Sequence, residues 1–341
     1  MAEPTPPTTL SGMSDGRRRV GVRDVAQRAG VSTQTVSRVL NDYPGIRDDT
    51  RQRVLAAVAD LDYRMNNAAR ALGTSRTRTV GVVASDTALY GPSAGIAALD
   101  AAARERGRWI ATAYANADDE PSVAAAVDHL LAQGVDGIVL VAPHVGTFAS
   151  LGRAAGGVPV VSLHEETGGR QADGAALAVS HLVDLGHRRV AELAGPSDWL
   201  EAAARTAGVE RAVATAGAAL TDRWRGDWTA SSGEALADQV AARLRDGSGP
   251  TAVVVANDQM ALGLIAGLSA RGVDVPGSVS VTGFDDNPDA PFYTPSLTTV
   301  RIDVAGEARR AVAEVLGESA PAPRPPLLVA RHSTAAPLHG E

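Results

Sequence analysis

Four side chains suited to sugar binding fall at or near expected strand ends in the second half of the chain. Asn257 follows residues 252–256, Asp285 follows residues 279–284, Trp228 follows Arg223-Trp-Arg-Gly, and Arg205 lies at the start of the helix after Gly195-Pro-Ser. An indole ring offers an apolar plate to one face of a pyranose, and carboxylate, amide and guanidinium groups bind neighbouring hydroxyls two at a time. Asp227 adds a second carboxylate beside the tryptophan. Each residue can also be interpreted as a cap, turn or core residue. Their common position behind predicted strands favours a ligand site.

Catalytic chemistry has weaker support in the sequence. Residues 91–95 (Gly-Pro-Ser-Ala-Gly) match the nucleophile elbow of hydrolases, but that elbow places its serine directly at a strand end. Here residues 85–90 separate the motif from the predicted strand end at Ala84. Asp285 and Asp286 are adjacent, and adjacent side chains of an extended chain point apart, which makes a poor acid–base pair for glycosidase chemistry. We therefore predict that the chain is not an enzyme.

Cofactor and metal sites are not indicated either. The chain has no Cys, and its seven His residues show no metal-ligand spacing. The first predicted strand is not followed by the glycine pattern of dinucleotide-binding folds. We expect no cofactor and no metal.

The elements that would position the polar side chains alternate between strand and helix. The predicted strands are Val80–Ala84, Trp109–Tyr114, Gly137–Val141, Val158–Leu163, Arg189–Leu193, Ala252–Ala256 and Val279–Phe284. Ala-rich helical stretches lie between them. This alternation predicts an α/β fold of two subdomains, each a parallel sheet flanked by helices. A ligand then binds in the crevice outside the carboxyl ends of the strands.

A basic segment precedes this acidic body. Residues 16–79 contain thirteen Arg, six Asp and no Glu, whereas residues 80–341 carry a net charge of −12. Such asymmetry is typical of a polyanion-binding head joined to a different domain. A solvated pair of basic helices would give the same charge, so charge alone leaves both interpretations open.

The hydrophobic pattern of residues 20–64 predicts a three-helix headpiece. A first helix over residues 22–29 ends at Gly30, which takes a left-handed turn without penalty. Ser32 caps the second helix through its hydroxyl. A third helix, over about residues 48–61, is predicted to bury Val54, Leu55, Val58 and Leu61. Two short helices joined by a turn that contains Gly form a helix-turn-helix.

The polar face of the second helix is suited to the DNA major groove. Gln34 can form paired hydrogen bonds with adenine, and Arg38 with guanine. Three hydroxyls have the right length for phosphate oxygens, which fix register without reading sequence: Ser32, Ser37 and Thr50. Thr33 and Asn41 share the polar face. A generic three-helix bundle would not need such a stripe, so we predict binding to double-stranded DNA.

The headpiece sequence resembles the LacI/GalR family of bacterial transcription regulators. The resemblance is carried by Asp24-Val-Ala, by Ala29-Gly-Val-Ser and by Thr35-Val-Ser-Arg-Val-Leu-Asn41. It extends from about Val20 to Pro337. It implies that Thr33, Gln34 and Arg38 read bases.

The resemblance also implies a hinge helix and linker over residues 65–79, which fold on DNA when paired with a second subunit. Leu72 matches the apolar wedge that enters the minor groove, where such a side chain can kink the duplex. Asn66, Ala69 and Arg70 match minor-groove and backbone contacts. Residues 1–19 are predicted to be a disordered tail.

For residues 80–337 the resemblance implies a periplasmic-binding-protein-like core. The expected subdomains are about residues 80–172 with 302–320, and about residues 173–301 with 326–334. The implied inducer-site residues are Ser85, Leu89, Arg205, Trp228, Asn257 and Asp285, with Ser93 at the rim. Val141 and His164 depart from the residues of one sugar-responsive member, and the segment 165–173 is shorter. These changes alter the far wall of the pocket.

Composition sets the broad class. The 341 residues carry a formal net charge of −7, and 45% are hydrophobic, which is ordinary for a globular protein of about two domains. The arginines at 17–19 precede no apolar run, which argues against a signal peptide, and no run approaches the ~18 residues of a membrane span. We expect a cytoplasmic protein. No heptad helix follows the predicted last strand at residues 327–334, so we expect a homodimer rather than a tetramer.

Together these patterns predict a transcriptional repressor of carbohydrate-utilisation genes. We expect a small sugar effector, a β-linked disaccharide, to release it from a pseudo-palindromic operator. Two alternatives keep the fold: a corepressor ligand such as a purine, or an activator role. The third alternative is a different class of protein, a sugar-binding or hydrolytic protein in which the headpiece is incidental to the function.

Overall fold

The computed structural model describes residues 20–41, 43–64, 77–116, 118–141, 155–165, 168–245, 247 and 249–338. The chain forms two compact units, a headpiece within residues 1–75 and a core within residues 76–341. The predicted tail, and the predicted hinge contacts at Asn66, Ala69, Arg70 and Leu72, lie outside the described residues.

Three short helices form the headpiece: α1 (Val22–Ala29), α2 (Thr33–Leu40) and α3 (Asp48–Asp60). Gly30 ends α1 with a φ of 64°, a conformation that Gly adopts without steric penalty. Ser32 begins α2, since its hydroxyl accepts a hydrogen bond from the backbone nitrogen of Thr35 at 3.1 Å. Each helix contributes one fully buried valine to the centre: Val25, Val36 and Val54. The helix-turn-helix prediction is confirmed.

The predicted core face of α3 is wrong at one position. Leu55 is 49% exposed, whereas Ala57 is buried beside Val54. Val58 and Leu61 are half-buried. Residues three and four apart share a helix face, so the side chain directly after Val54 is turned about 100° away from it.

The first half of the core is a four-stranded parallel sheet in the order β2–β1–β3–β4. Its strands are β1 (Thr79–Ala84), β2 (Trp109–Tyr114), β3 (Gly137–Val141) and β4 (Val160–Ser162). The helices packed around it are α4 (Tyr90–Glu105), α5 (Glu120–Ala132) and, from later in the chain, α11 (Val304–Val315).

The second half is a four-stranded parallel sheet in the order β6–β5–β7–β8. Its strands are β5 (Arg189–Ala194), β6 (Ala219–Arg225), β7 (Ala252–Val255) and β8 (Ser280–Thr282). The helices of this half are α6 (Gly169–Asp184), α7 (Leu200–Thr215), α8 (Ala230–Ala235), α9 (Ala237–Arg245) and α10 (Asp258–Ala270). A 3-10 turn (Ala290–Phe292) and an antiparallel pair, β9 (Thr299–Arg301) with β10 (Leu327–Val329), complete the core. The α/β prediction is confirmed, and β6 and β9 add to the predicted strands.

The chain passes between the two sheets three times: between β4 and α6, between β9 and α11, and between α11 and β10. The first passage lies a few residues before the crossing expected near Ala172, because Ala172 already belongs to α6. This helix packs so closely on α7 that a Cβ at Gly208 would lie 2.1 Å from the carbonyl oxygen of Ala172. None of the described helices is long and apolar enough to cross a membrane.

Candidate functional site

A cleft of about 460 Å³ lies between the two sheets of the core. The residues that line it follow the carboxyl ends of strands from both sheets, as parallel sheets require of a ligand crevice. They are Leu89, Gly91, Pro92, Val141, Leu163, His164, Trp199, Glu201, Arg205, Trp228, Asn257 and Asp285. Apolar and aromatic walls with a few convergent polar groups are typical of a small-molecule site.

Trp228 forms one wall and is held by two neighbours. Its φ of 75° is rare for a residue with a side chain, so its conformation depends on its surroundings. The amide nitrogen of Asn257 donates a hydrogen bond to the Trp228 carbonyl oxygen at 3.0 Å. The indole lies on Gly195, where an added Cβ would come within 2.3 Å of the ring. The absence of a side chain at Gly195 therefore leaves the space that the indole occupies.

Asn257 lines the cleft, but both ends of its side chain already have partners. Its Oδ1 accepts a hydrogen bond from the backbone nitrogen of Met260 at 2.9 Å, which caps α10. Its nitrogen is used on Trp228. In this arrangement Asn257 shapes the cleft by positioning the tryptophan.

Arg205 is buried and bonded in several directions. Its Nε donates to Gln171 Oε1 at 2.8 Å and one terminal nitrogen donates to the carbonyl oxygen of Ala256 at 2.5 Å. The other terminal nitrogen lies 3.4 Å from the Asp285 carboxylate. The guanidinium also stacks 3.9 Å from the centre of the Phe284 ring. A buried charge needs such partners, and they fix its plane in the cleft.

Three buried polar atoms of the cleft have no hydrogen-bond partner among the described residues: Trp228 Nε1, Glu201 Oε2 and His164 Nδ1. An indole N–H can only donate, whereas a carboxyl and an imidazole can accept or donate according to protonation. Unpaired buried polar atoms are costly. A ligand that carries several hydroxyl groups would satisfy all three.

Burial sets the protonation of two of these groups. It raises the pKa of the Glu201 carboxyl to about 7, against a smaller opposing effect of Arg205. Burial, followed by repulsion from Arg205, Arg310 and Arg170, lowers the pKa of His164 to about 3. His164 is therefore neutral at physiological pH, and Glu201 titrates there.

Asp285 carries the third perturbed group of the cleft. Burial raises the pKa of its carboxyl to about 6, and the adjacent Arg205 guanidinium opposes this rise. Its φ of 110° lies in a region that residues with side chains rarely adopt. Strain and perturbed ionisation at one residue are features of functional sites.

The structure brings five of the eight predicted ligand residues together in the cleft: Leu89, Arg205, Trp228, Asn257 and Asp285. It does not place the other three in the lining. Ser85 is buried at the end of β1, and Ser93 is exposed within α4. Asp227 is exposed, and its carboxylate accepts hydrogen bonds from the nitrogen and hydroxyl of Thr229 at 3.0 and 2.6 Å. Because Ser93 lies inside α4 and not at a strand end, it also lacks the geometry of a nucleophile elbow.

Sequence reasoning missed Trp199 and Glu201. The two tryptophans meet edge to face, with Trp199 and Trp228 ring centres 5.4 Å apart. Trp199 precedes α7, and Glu201 begins its first turn, four residues before Arg205. That spacing places Glu201 and Arg205 on one helix face and could have identified the carboxyl from the sequence.

The polar face of α2 forms the candidate DNA interface of the headpiece. Thr33, Gln34, Ser37 and Arg38 are exposed along it. Asn41 ends the helix, its side-chain nitrogen donating to the Ser37 carbonyl oxygen at 2.8 Å. Thr50 is half-buried in the first turn of α3, 3.4 Å from an Arg53 nitrogen. The predicted base-reading residues thus share one solvent-facing side.

Two family profiles match the chain. Residues 22–66 match bacterial regulatory proteins of the lacI family, and residues 179–334 match the periplasmic binding protein-like domain. The first match covers the headpiece, and the second runs from within α6 to beyond β10.

Similar proteins cover most of the chain. The lactose operon repressor of Escherichia coli (strain K12) is 36% identical over 299 residues, 83% of this chain and 80% of that protein. A lac repressor dimer bound to operator and the anti-inducer ONPF superposes with a TM-score of 0.77 at 33% identity, covering 94% of this chain and all of that one. A complex of the transcriptional regulator CelR with cellobiose gives a TM-score of 0.63 at 29% identity, covering 92% of this chain and all of that one.

We expect Gly195→Ala to displace the Trp228 indole, because the new methyl group would lie 2.3 Å from ring atoms. The edge-to-face contact with Trp199 would then be lost, and with it the near-ultraviolet circular dichroism of the coupled indoles. Gly91→Ala is the control, since Gly91 also lines the cleft but an added Cβ meets nothing within 4 Å. Unchanged spectra in both variants would contradict the packing of Trp228 on Gly195.

We expect Glu201→Gln to remove a pH dependence of stability. The folded chain keeps this proton up to about pH 7, whereas the unfolded chain releases it near pH 4.5, so wild-type stability falls as pH rises through that window. The variant should gain up to about 3 kcal/mol over wild type between pH 4.5 and 7.5. Urea unfolding followed by Trp fluorescence measures this, since all four Trp lie in the core unit.

The matched control for that titration is Glu210→Gln, the same substitution at an exposed position of α7. A stability difference between Glu201→Gln and wild type that stays constant with pH would contradict the raised pKa of Glu201.

Proposed function

The chain belongs to the LacI family of bacterial regulatory proteins and is a DNA-binding transcriptional regulator, and from this membership we propose that it is a repressor of carbohydrate-utilisation genes that a small sugar releases from its operator. The observation that carries the sugar assignment is the set of unpaired polar atoms around the Trp228 indole: its own Nε1, Glu201 Oε2 and His164 Nδ1. A pyranose has a flat, apolar face bordered by hydroxyl groups. The face can stack on the indole, and the hydroxyl groups can form hydrogen bonds with the unpaired atoms.

For the DNA interface, we assign base reading to Thr33, Gln34 and Arg38. All three are exposed on α2, while the opposite face of the helix is held in the headpiece core by Val36 and Val39. A helix presented in this way can enter the major groove with its polar side. Ser32, Ser37 and Thr50 are assigned to phosphate contacts. A homodimer would place two headpieces on the half-sites of a pseudo-palindromic operator.

For the sugar site, the pyranose face stacks on Trp228, and Arg205 with Asp285 binds neighbouring hydroxyls. The Arg205–Asp285 pair supports this role because it offers a donor and an acceptor 3.4 Å apart at the cleft wall. The similarity to a regulator solved with cellobiose supports a sugar ligand. A β-linked disaccharide would fit both this similarity and the site formed by Trp228, Arg205 and Asp285.

Release of the operator requires that the sugar favour one orientation of the two sheets over another. Contacts across the cleft would differ between such orientations. Gln259 of α10 accepts a hydrogen bond from the backbone nitrogen of Tyr90, the first residue of α4, at 3.0 Å. Arg170 of α6 donates to Glu307 of α11 at 2.5 Å. Coupling of this kind amounts to about 1–3 kcal/mol.

A purine corepressor has less support. A nucleobase site would need an aromatic side chain to stack on the base near the end of β1, where Tyr90 is available. Within the described residues Tyr90 does not line the cleft, whereas Trp199 and Trp228 do so on the side of the second sheet.

We expect Arg38→Ala to weaken binding to the cognate operator by about 1–3 kcal/mol and to relax specificity at one base pair, because a paired contact to guanine is lost. Fluorescence anisotropy with labelled DNA from upstream of the chain's own gene measures both effects. Arg28→Ala is the control, since it removes the same charge from α1, where Arg28 pairs with Asp60 at 2.7 Å. Equal losses in the two variants would mean that Arg38 supplies charge only.

We expect Trp228→Phe to keep the stacking surface but to lose the indole donor, which weakens the activating sugar about fivefold. The sugar is first identified among lactose, cellobiose and xylobiose by release of the labelled operator. Calorimetry then gives its Kd, and anisotropy without sugar should show unchanged operator affinity. Trp224→Phe, on β6 outside the cleft, is the control. A sugar affinity equal to that of the wild type would show that the Trp228 N–H does not bind the sugar.

A further inference from the structure

One polar face of α11 contacts all three passages between the two sheets. Asp303 caps this helix, and its Oδ2 accepts hydrogen bonds from the backbone nitrogen of Arg324 at 3.0 Å and from the Arg324 Nε at 3.3 Å. Asp303 lies in the passage from β9, and Arg324 lies in the passage to β10. Arg310 donates to the carbonyl oxygens of Ser162 and Leu163, both at 2.9 Å, where the first passage leaves β4. These contacts anchor α11 where the two halves of the core join.

Glu307 lies on the same face of α11, one turn after Asp303. It is only 3% exposed. Its Oε1 accepts a hydrogen bond at 2.5 Å from the Nε of Arg170, which belongs to α6 in the second half of the core. Arg170 also pairs with Glu165. The Arg170–Glu307 bond therefore spans the two halves.

The other carboxylate oxygen of Glu307 faces a second arginine without bonding to it. Glu307 Oε2 lies 3.5 Å from the Nε of Arg310, on the next turn of α11. Both atoms are buried, and neither has a hydrogen-bond partner among the described residues. Because unpaired buried polar atoms are costly, a small movement that joined these two would be favourable. Glu307 thus has two competing partners, one across the halves and one in its own helix.

The residue after Arg170 connects this carboxylate to the cleft. Gln171 accepts a hydrogen bond from Arg205 Nε at 2.8 Å. The first turn of α6 therefore contacts the cleft wall through Gln171 and α11 through Arg170. A ligand that moved α6 relative to α11 would change the distance between Arg170 and Glu307.

From this arrangement we propose that Glu307 is a switch residue, which bonds to Arg170 in one orientation of the two halves and to Arg310 in the other. The buried carboxylate keeps a guanidinium partner in both orientations, so neither leaves its charge unpaired. A ligand biases such a two-state element by preferring one of its states. The inference rests on the proposed release of the operator by a sugar, and it adds the contact that distinguishes the two orientations.

The test applies the same substitution to both arginines. Lysine keeps the positive charge but has one nitrogen in place of the forked guanidinium, and no donor at the Nε position. Arg170→Lys should weaken the bond across the halves, and Arg310→Lys the bond within α11. Arg211→Lys is the control, because Arg211 of α7 pairs with Asp173 of α6 at 2.7 Å, within one half of the core and at the surface.

Fluorescence anisotropy gives the operator Kd of each full-length variant without sugar. Calorimetry gives the Kd of whichever of lactose, cellobiose and xylobiose releases the operator. We expect the operator Kd to change about fivefold in one direction in Arg170→Lys and about fivefold in the other direction in Arg310→Lys, with the sugar Kd changing in reverse. The control should match the wild type, and urea unfolding should show that every variant is folded.

A change of the operator Kd in the same direction in both variants, or values equal to that of Arg211→Lys, would overturn the switch and leave the sugar function standing. The operator Kd decides this without any sugar. Failure of all three sugars to release the operator from the wild type would therefore overturn the sugar function alone.

Discussion

The buried guanidinium of Arg205 is the interaction on which the cleft depends. A cation removed from water must be compensated on every side, and here the partners come from three separate segments: Gln171 in α6, Ala256 after β7, and Asp285 after β8. These bonds gather the strand ends of the second sheet around one point. The Phe284 ring beneath the guanidinium completes the enclosure. Removing the Asp285 carboxylate would take away the ion-pair partner of this buried guanidinium.

Two residues of the cleft have an unusual backbone conformation. Asp285 has a φ of 110° and Trp228 has a φ of 75°, and both are tied to neighbours that use up the ordinary bonding groups of the site. Asn257 is consumed in holding the Trp228 carbonyl and capping α10. What remains for a ligand is the Arg205–Asp285 pair and the buried atoms left unpaired among the described residues: Trp228 Nε1, Glu201 Oε2 and His164 Nδ1. Holding Asp285 and Trp228 in strained conformations lowers stability locally, and the tight packing around them keeps them in place.

Much of this could be predicted from the sequence, for identifiable reasons. Strand ends are visible as Val-rich runs, so the hydrophobic pattern places Asn257 and Asp285 at one edge of a sheet. Trp228 follows β6, which contains no such run. Asp227 could not be excluded, because nothing in the sequence shows that its carboxylate bonds to Thr229. Glu201 was missed because a glutamate in a helix is usually solvated. The prediction that Leu55 is buried was wrong because an error of one residue in the helical phase moves a side chain from the core face towards solvent.

The most direct test of the account is thermodynamic linkage between the cleft and the headpiece. The Kd of the activating sugar is measured by calorimetry with the free chain and with the chain saturated by operator DNA, and the Kd of the operator is measured with and without saturating sugar. Linkage requires the two ratios to be equal. We expect operator to weaken sugar binding by the same factor, about 5–150-fold, by which sugar weakens operator binding. A sugar affinity unaffected by the operator would contradict it.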